Sequence, residues 1–415
     1  MGAILQYLIN AKKAQKSIAG LSDIGKKDLI SRLADTIQKN SERVIAENLK
    51  DLLKMDENDP KRDRLLLDQT RITGLCKSLL AVSQLPDPTQ SVLTDKVLPN
   101  GLHLKKITVP LGVVAVIYES RPNVTLDVAS LCLRSGNVAL LRGGQDALHT
   151  NLVLVSLIQQ VLAEAGLDVN IVQQLPPERE HIIEILTAEK YIDVIIPRGS
   201  NQLIEYVRKN ATVPVIETGA GVCHTYVEAS ADLLMAADVV VNAKVSRPSV
   251  CNALDTILVD MTIAEDFITG VSKKLEEHHV EIFADEIAFT MLQKANYPLL
   301  TKANPEDFGR EFLDFKCSIK VVSGLDEAMD HIATYSSKHS EAIITRDYTK
   351  SDVFLAQVDA AVVYLNASTR FTDGEVFDLG AEIGISTQKL HARGPFALEK
   401  LVTEKWIVKG EGQVR

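Results

Sequence analysis

The chain has no long apolar run. No stretch approaches the roughly 20 residues that a membrane-spanning helix needs. The start, Met1-Gly2-Ala3-Ile4-Leu5-Gln6, passes into lysine-rich amphipathic sequence without an apolar leader core. Neither a membrane span nor a signal peptide is therefore expected, and Gln6 stands where a myristoylation signal carries Ser or Thr. Cysteine is scarce. The five present (Cys76, Cys132, Cys223, Cys251 and Cys317) form no CxxC pair and no metal-ligand spacing with the nine histidines. That usage fits free thiols in a reducing compartment, so a cytoplasmic location and no metal are expected. Positive charge is short as well. A formal net charge of −10 argues against a general nucleic-acid or acidic-membrane surface, leaving any anionic ligand to individual arginines. No GxGxxG follows the first strand, so the ordinary dinucleotide fingerprint is absent. Internal repeats and low-complexity tracts are also lacking.

What is present reads as an α/β protein of more than one domain, given 415 residues with 46% hydrophobic and 24% charged content. Residues 1–90 are helical: Leu29, Ile30, Leu33, Ile37, then Val44, Leu49, Leu52 and Leu53 recur at helical spacing, with a charged turn at 56–60. Asn100-Gly101 between alternating apolar residues predicts a hairpin within 91–108. From Gly112 apolar strands alternate with helices: strands at 113–117, 138–141, 171–172, 194–196 and 213–216, helices at 125–133 and 148–165. This pattern predicts a parallel sheet covered on both faces. After Gly219-Ala220-Gly221 it restarts, with strands at 256–259, 319–322, 342–344 and 361–364. The alternating tail 401–408 can pair with the hairpin or with another subunit.

Ligands on parallel sheets bind beyond the carboxyl ends of the strands, which directs attention to three turns. They are Tyr118-Glu119-Ser120-Arg121-Pro122-Asn123, Arg142-Gly143-Gly144 and Arg198-Gly199-Ser200. Each alone is an ordinary βα turn; together they suit a phosphate-bearing ligand at helix N-termini. A cation such as Arg142 after the second strand suits a 2′-phosphate and so leans towards NADP. Later come Asn366, Arg370, His391 and Arg393 in polar turns, where the arginines can fork to carboxylate or phosphate oxygens. His391 is read as a loop residue. Glu217, ending a strand beside glycines, is the better-placed acid. Cys251 follows Arg247-Pro248, which breaks regular structure, so it is expected in a turn or helix start beside a cation that favours thiolate.

Taken together, Val109-Pro110-Leu111-Gly112-Val113, Glu119-Ser120-Arg121-Pro122-Asn123 and Arg247-Pro248-Ser249-Val250-Cys251-Asn252 resemble the gamma-glutamyl phosphate reductases, a branch of the aldehyde dehydrogenase superfamily. So do Asn366-Ala367-Ser368-Thr369-Arg370-Phe371, residues 380–387 and His391-Ala392-Arg393-Gly394-Pro395. The resemblance implies an aldehyde dehydrogenase-like fold of two parallel-sheet α/β domains and a bridging β arm. Residues 1–90 and 109–219 would bind NADP, 220–394 would be catalytic, and 91–108 with 395–415 would form the arm and a homo-oligomer contact. It implies Cys251 as nucleophile and Asn123 as oxyanion donor, with Glu217 at the general-base position although Thr218-Gly219-Ala220-Gly221 departs from the superfamily pattern. Arg142, Gly143, Gly144, Arg198, Gly199, Ser200 and Glu311 would hold the cofactor. Arg121, Arg247, Asn366, Arg370 and Arg393 would bind the substrate. The implied reaction reduces L-glutamyl 5-phosphate with NADPH to L-glutamate 5-semialdehyde through a cysteine thioester, in proline biosynthesis, with the acyl phosphate supplied by a separate glutamate 5-kinase. Two rivals stand beside it. One is a hydrolytic aldehyde oxidiser using Glu217, and the other is a cofactor-free cysteine acyltransferase with a His paired to Cys251.

Overall fold

The computed structural model describes residues 2, 4–56, 59, 62–119 and 121–415. Glu57, Asn58 and Pro60 of the expected charged turn, and Ser120 of the first strand-end turn, lie outside them. The chain divides into two compact units. The first comprises Met1–Thr218, Asp378–Gly384 and Phe396–Arg415; the second comprises Gly219–Phe377 and Ile385–Pro395. The change of unit thus falls inside the glycine-bearing turn, and residues 378–384, expected in the catalytic domain, belong to the first unit.

In the first unit four parallel strands lie in the order Val172–Gln174, Val138–Arg142, Val113–Tyr118, Val194–Arg198. Val113–Tyr118 and Val138–Arg142 are buried along their whole length. That explains the apolar runs 113–117 and 138–141 within them, each fully buried Val, Ile or Leu contributing roughly 1.5–3 kcal/mol. Helices Asn123–Arg134 and Leu148–Glu164 follow the first two strands. The N-terminal helices Leu5–Ala19, Asp23–Lys39, Ser41–Leu52 and Gln69–Gln84 pack around them. Ser22 and Asp68 cap two of these, accepting from the backbone N–H of Gly25 and Arg71. The strand expected at 213–216 is reduced to one bridge, Ile195 to Val215. Pro214 has no N–H to continue a ladder.

The hairpin forms, but its strands Val92–Val97 and His103–Pro110 pair Val97 with His103, so five residues rather than Asn-Gly alone make the turn. Strand Val402–Lys409 adds to the other side of His103–Pro110, antiparallel, giving a three-stranded sheet. Of the two partners open to the tail, the hairpin is the one used within this chain.

The second unit holds a seven-stranded parallel sheet. Its order is Leu300–Lys302, Glu281–Ala284, Lys316–Val322, Leu254–Asp260, Cys223–Val227, Ser340–Ile344, Val362–Leu365. Cys223–Val227, with its polar Cys-His-Thr-Tyr sequence, was not anticipated, yet every residue of it is buried. Its strand neighbours on both sides supply the hydrogen bonds that make such a sequence tolerable inside.

Candidate active site

In the second unit, helix Leu233–Val245 ends at Ser246. Arg247-Pro248 leave the helix, Ala253 N–H donates to Val250 C=O at 3.0 Å, and strand Leu254–Asp260 begins. Cys251 lies in this turn. It is the one cysteine of the five that is not buried. Burial pushes the thiols of Cys132 and Cys317 up to about 12, and that of Cys223 far above the ordinary range.

The turn is braced from three directions. Gly221 lies against its backbone so closely that a Cβ there would fall 1.5 Å from the Cys251 carbonyl oxygen, so only glycine fits. The Cys223 thiol donates to that same carbonyl at 3.3 Å. Asn252, 3% exposed, donates through Nδ2 to the carbonyls of Thr372 at 2.8 Å and Arg370 at 3.3 Å. Its Oδ1 accepts from the Arg370 guanidinium, and its own carbonyl accepts from Thr369 Oγ1 at 2.8 Å. Arg370 also donates to Ser246 Oγ at 3.1 Å. Burial, then the charge of neighbouring Arg247, lowers the Arg370 pKa, and Cys251 acts on it in the opposite sense. The Arg370 guanidinium thus lies close enough to Cys251 to interact with it, with Arg247 beside Arg370, and a cation there suits both a thiolate and an anionic acyl phosphate.

Three expected residues have other partners here. Glu311 Oε1 accepts from Gly221 N–H at 2.9 Å, so its carboxylate fastens the glycine turn. Arg393 pairs with Asp359 at 2.7 Å, beside Lys338 and Lys389. Asn366, expected to bind substrate, has its carboxamide engaged within the fold. Its carboxamide accepts from Thr345 N–H at 2.9 Å and donates to Thr345 C=O at 3.0 Å, at the carboxyl end of strand Ser340–Ile344. Thr372, which carries Asn252, bonds to Ser340 at the amino end. Four strand steps, roughly 13 Å, separate the two ends. Asn366 came from looking beyond carboxyl ends, whereas Cys251, Gly221 and Ser340 all lie at the amino edge of this sheet.

In the first unit the carboxyl ends are the relevant edge. Strand order reverses between Val113–Tyr118 and Val194–Arg198, the usual crevice of an open α/β sheet. Glu119 N–H donates to Arg198 C=O at 3.2 Å. The Glu119 carboxylate accepts from Ser200 N–H at 2.9 Å, at the head of helix Asn201–Asn210. The anion place expected at Arg198-Gly199-Ser200 is therefore taken by the chain's own carboxylate, and a Cβ on Gly199 would lie 2.6 Å from it. Arg142 is buried at the end of its strand rather than exposed. Its guanidinium donates to Pro177 C=O, while Nε is buried without a partner. Burial, and then Arg179 nearby, lower its pKa. An unpartnered buried N–H beside a second cation is a fitting place for a phosphate group. Gly143 and Gly144 follow directly, and Arg121 precedes the helix that starts at Asn123. Asn123 Nδ2 donates to Asp127 Oδ2 at 3.0 Å. Glu217 is half-buried, one residue before the end of this unit's main segment.

Asp127, Asn252 and Cys223 were missed by sequence reasoning. Asn252 stands beside the candidate nucleophile, and Asp127 lies one helical turn after Asn123, so spacing could have found these two. Cys223 becomes relevant only through the pairing of distant strands. Among the described residues no group of His, Cys, Asp or Glu could hold a metal, and no helix is long and apolar enough to cross a membrane.

The aldehyde dehydrogenase family pattern matches residues 4–293. The gamma-glutamyl phosphate reductase of Chlorobaculum parvum is 52% identical over 415 residues, covering 100% of this chain and 98% of that one. That of Legionella pneumophila strain Lens is 50% identical, covering 99% of each. The crystal structure of the Thermotoga maritima gamma-glutamyl phosphate reductase superposes with a TM-score of 0.94 at 40% identity, covering 100% of both chains. By its sequence over full length and by the fold of its two sheets, the chain belongs to the gamma-glutamyl phosphate reductases of the aldehyde dehydrogenase family.

Proposed function

We propose that this chain reduces L-glutamyl 5-phosphate to L-glutamate 5-semialdehyde and phosphate with NADPH, the second step from glutamate towards proline. The observation that carries the reading is the Cys251 turn, which holds the one thiol of the five that is not buried, with Arg370 close to it, Arg247 beside Arg370, and Gly221 and Asn252 bracing the backbone. In this reading the Cys251 thiolate attacks the acyl carbon, forming the C–S bond. The carbonyl electron pair moves to oxygen, where Asn123 and the Cys251 N–H are assigned to stabilise it. Collapse expels phosphate and leaves a thioester. Arg370 and Arg247 are the first choice for the substrate's phosphate, with Arg121 for its other anionic group, while Arg393 would have to leave Asp359 to take part. The nicotinamide cofactor, when bound, supplies the hydride that brings the thioester to the aldehyde level. Arg142 and Arg179 would hold its 2′-phosphate, Gly143 and Gly144 would let it approach, and Glu311 would meet its nicotinamide ribose on releasing Gly221. Collapse of the thiohemiacetal returns the thiolate. Because no water attacks, no step needs Glu217 as a base. A location in the cytoplasm accompanies this reading.

The test is the reverse reaction, with pyrroline-5-carboxylate, inorganic phosphate and either NADP or NAD. Phosphate-dependent reduction of NADP, faster than of NAD, is expected, and Cys251→Ser should abolish it while NADPH still binds. Oxidation that proceeds without phosphate would instead make the chain a hydrolytic aldehyde oxidiser, and turnover by Cys251→Ser would remove the nucleophile. We also propose that the three-stranded sheet mediates a homo-oligomer. Exposed Val92, Leu93, Val97, Trp406 and Val408 sit on its two edge strands, whose unpaired backbone groups invite a further strand.

A further inference from the structure

We propose that Asp127 is a positioning residue that fixes which end of the Asn123 carboxamide faces the reacting carbonyl, an inference resting on the oxyanion role given to Asn123. The two residues lie four apart on helix Asn123–Arg134, so their side chains share one face. Asn123 Nδ2 donates to Asp127 Oδ2 at 3.0 Å. Among the described residues this is the only hydrogen bond to the Asp127 carboxylate. An ionised carboxylate can only accept, so it selects the NH2 end of an amide and rejects the oxygen end. One amide hydrogen is thereby held on Asp127, and the second stays available as a donor. With the amide turned over, Oδ1 would face a developing oxyanion and repel it. Nothing in a lone helical asparagine prevents that rotation, since the terminal amide torsion is broad and close to two-fold.

The carboxylate has no evident structural duty. It lies beyond the first turn of the helix, so it caps no backbone N–H. Burial raises its pKa to about 6, opposed by Arg198 on the strand Val194–Arg198 and by the Asn123 hydrogen bond, and reinforced by Glu382. A half-buried carboxyl group whose one hydrogen-bond partner is the candidate oxyanion donor is better explained by orientation than by stability. Arg198 also offsets the cost of a negative charge near the site.

The experiment is a double-mutant cycle in the reverse assay, with thermal melting of each variant. Asn123→Ala is expected to lower kcat by about 100-fold. Asp127→Ala is expected to lower it by about tenfold, the order found for groups that orient a functional ligand. Asp127→Asn should fall between, because an amide can accept or donate and so loses only the selection. The KM for NADP and the melting temperature should hold within error, and adding Asp127→Asn to Asn123→Ala should cause no further loss. If Asp127→Ala does not fold, the isosteric Asp127→Asn decides. Wild-type kcat in both Asp127 variants, or effects that multiply in the double variant, would overturn the positioning role alone. Wild-type kcat in Asn123→Ala would overturn the oxyanion assignment beneath it.

Discussion

Glu228 and Asp255 are both carboxylates buried in the second unit, and their environments drive them in opposite directions. For Asp255 burial outweighs the attraction of Lys244 at 3.4 Å, and its pKa rises to about 6. Glu228 is opposed by burial too, but Lys350, Ser230 and Thr345 bond to its oxygens and hold it at about 2. A carboxylate held below its ordinary 4.5 adds stability that is complete above that value and is lost as pH falls from 4.5 through about 2. Denaturant unfolding across that window should show wild type losing stability steeply. Glu228→Gln should start less stable at neutral pH and fall less. Parallel curves for the two proteins would show that Glu228 does not set the slope. Asp127, with one hydrogen bond to its carboxylate, and Asn252, with four named hydrogen bonds, belong to this scale as well.

The Cys251 turn is an assembly of elements. Gly221 leads into strand Cys223–Val227, Asn252 leads into Leu254–Asp260, and the 369–372 segment is tied to Asn252 by hydrogen bonds. Close backbone approach at Gly221 makes the assembly intolerant of any side chain there. Gly221→Ala should displace the Cys251 carbonyl, cost roughly 1–3 kcal/mol as overpacking does, and lower kcat well before it abolishes folding. Unchanged unfolding midpoint and turnover in that variant would show that the two backbones do not meet. The hairpin and the C-terminal strand also pair as elements, since an alternating strand with one open edge must find a partner.

For the molecule as a whole, two parallel sheets use opposite edges. The first unit gathers candidate residues at carboxyl ends, beside a reversal of strand order, while the second gathers them at amino ends. Assembly belongs to this scale too. Sedimentation should find the wild-type chain as a dimer or larger, and Trp406→Glu on the exposed strand should shift it towards monomer. A monomeric wild type would overturn the proposed contact.

Apolar runs at 113–117 and 138–141 were enough to fix the buried strands, because only a sheet covered on both faces accepts such sequence. The break at Arg247-Pro248 was enough to place Cys251 in a turn, because it cannot continue a helix. What the linear order left open was which distant segments become neighbours. Polar Cys223–Val227 became a central strand through hydrogen bonds on both sides, Ser200 received Glu119 through adjacent strand ends, and Asn366 landed at the edge away from Cys251. Periodicity reports the environment of a segment, while register and strand order decide who its neighbours are, and only the folded chain contains those.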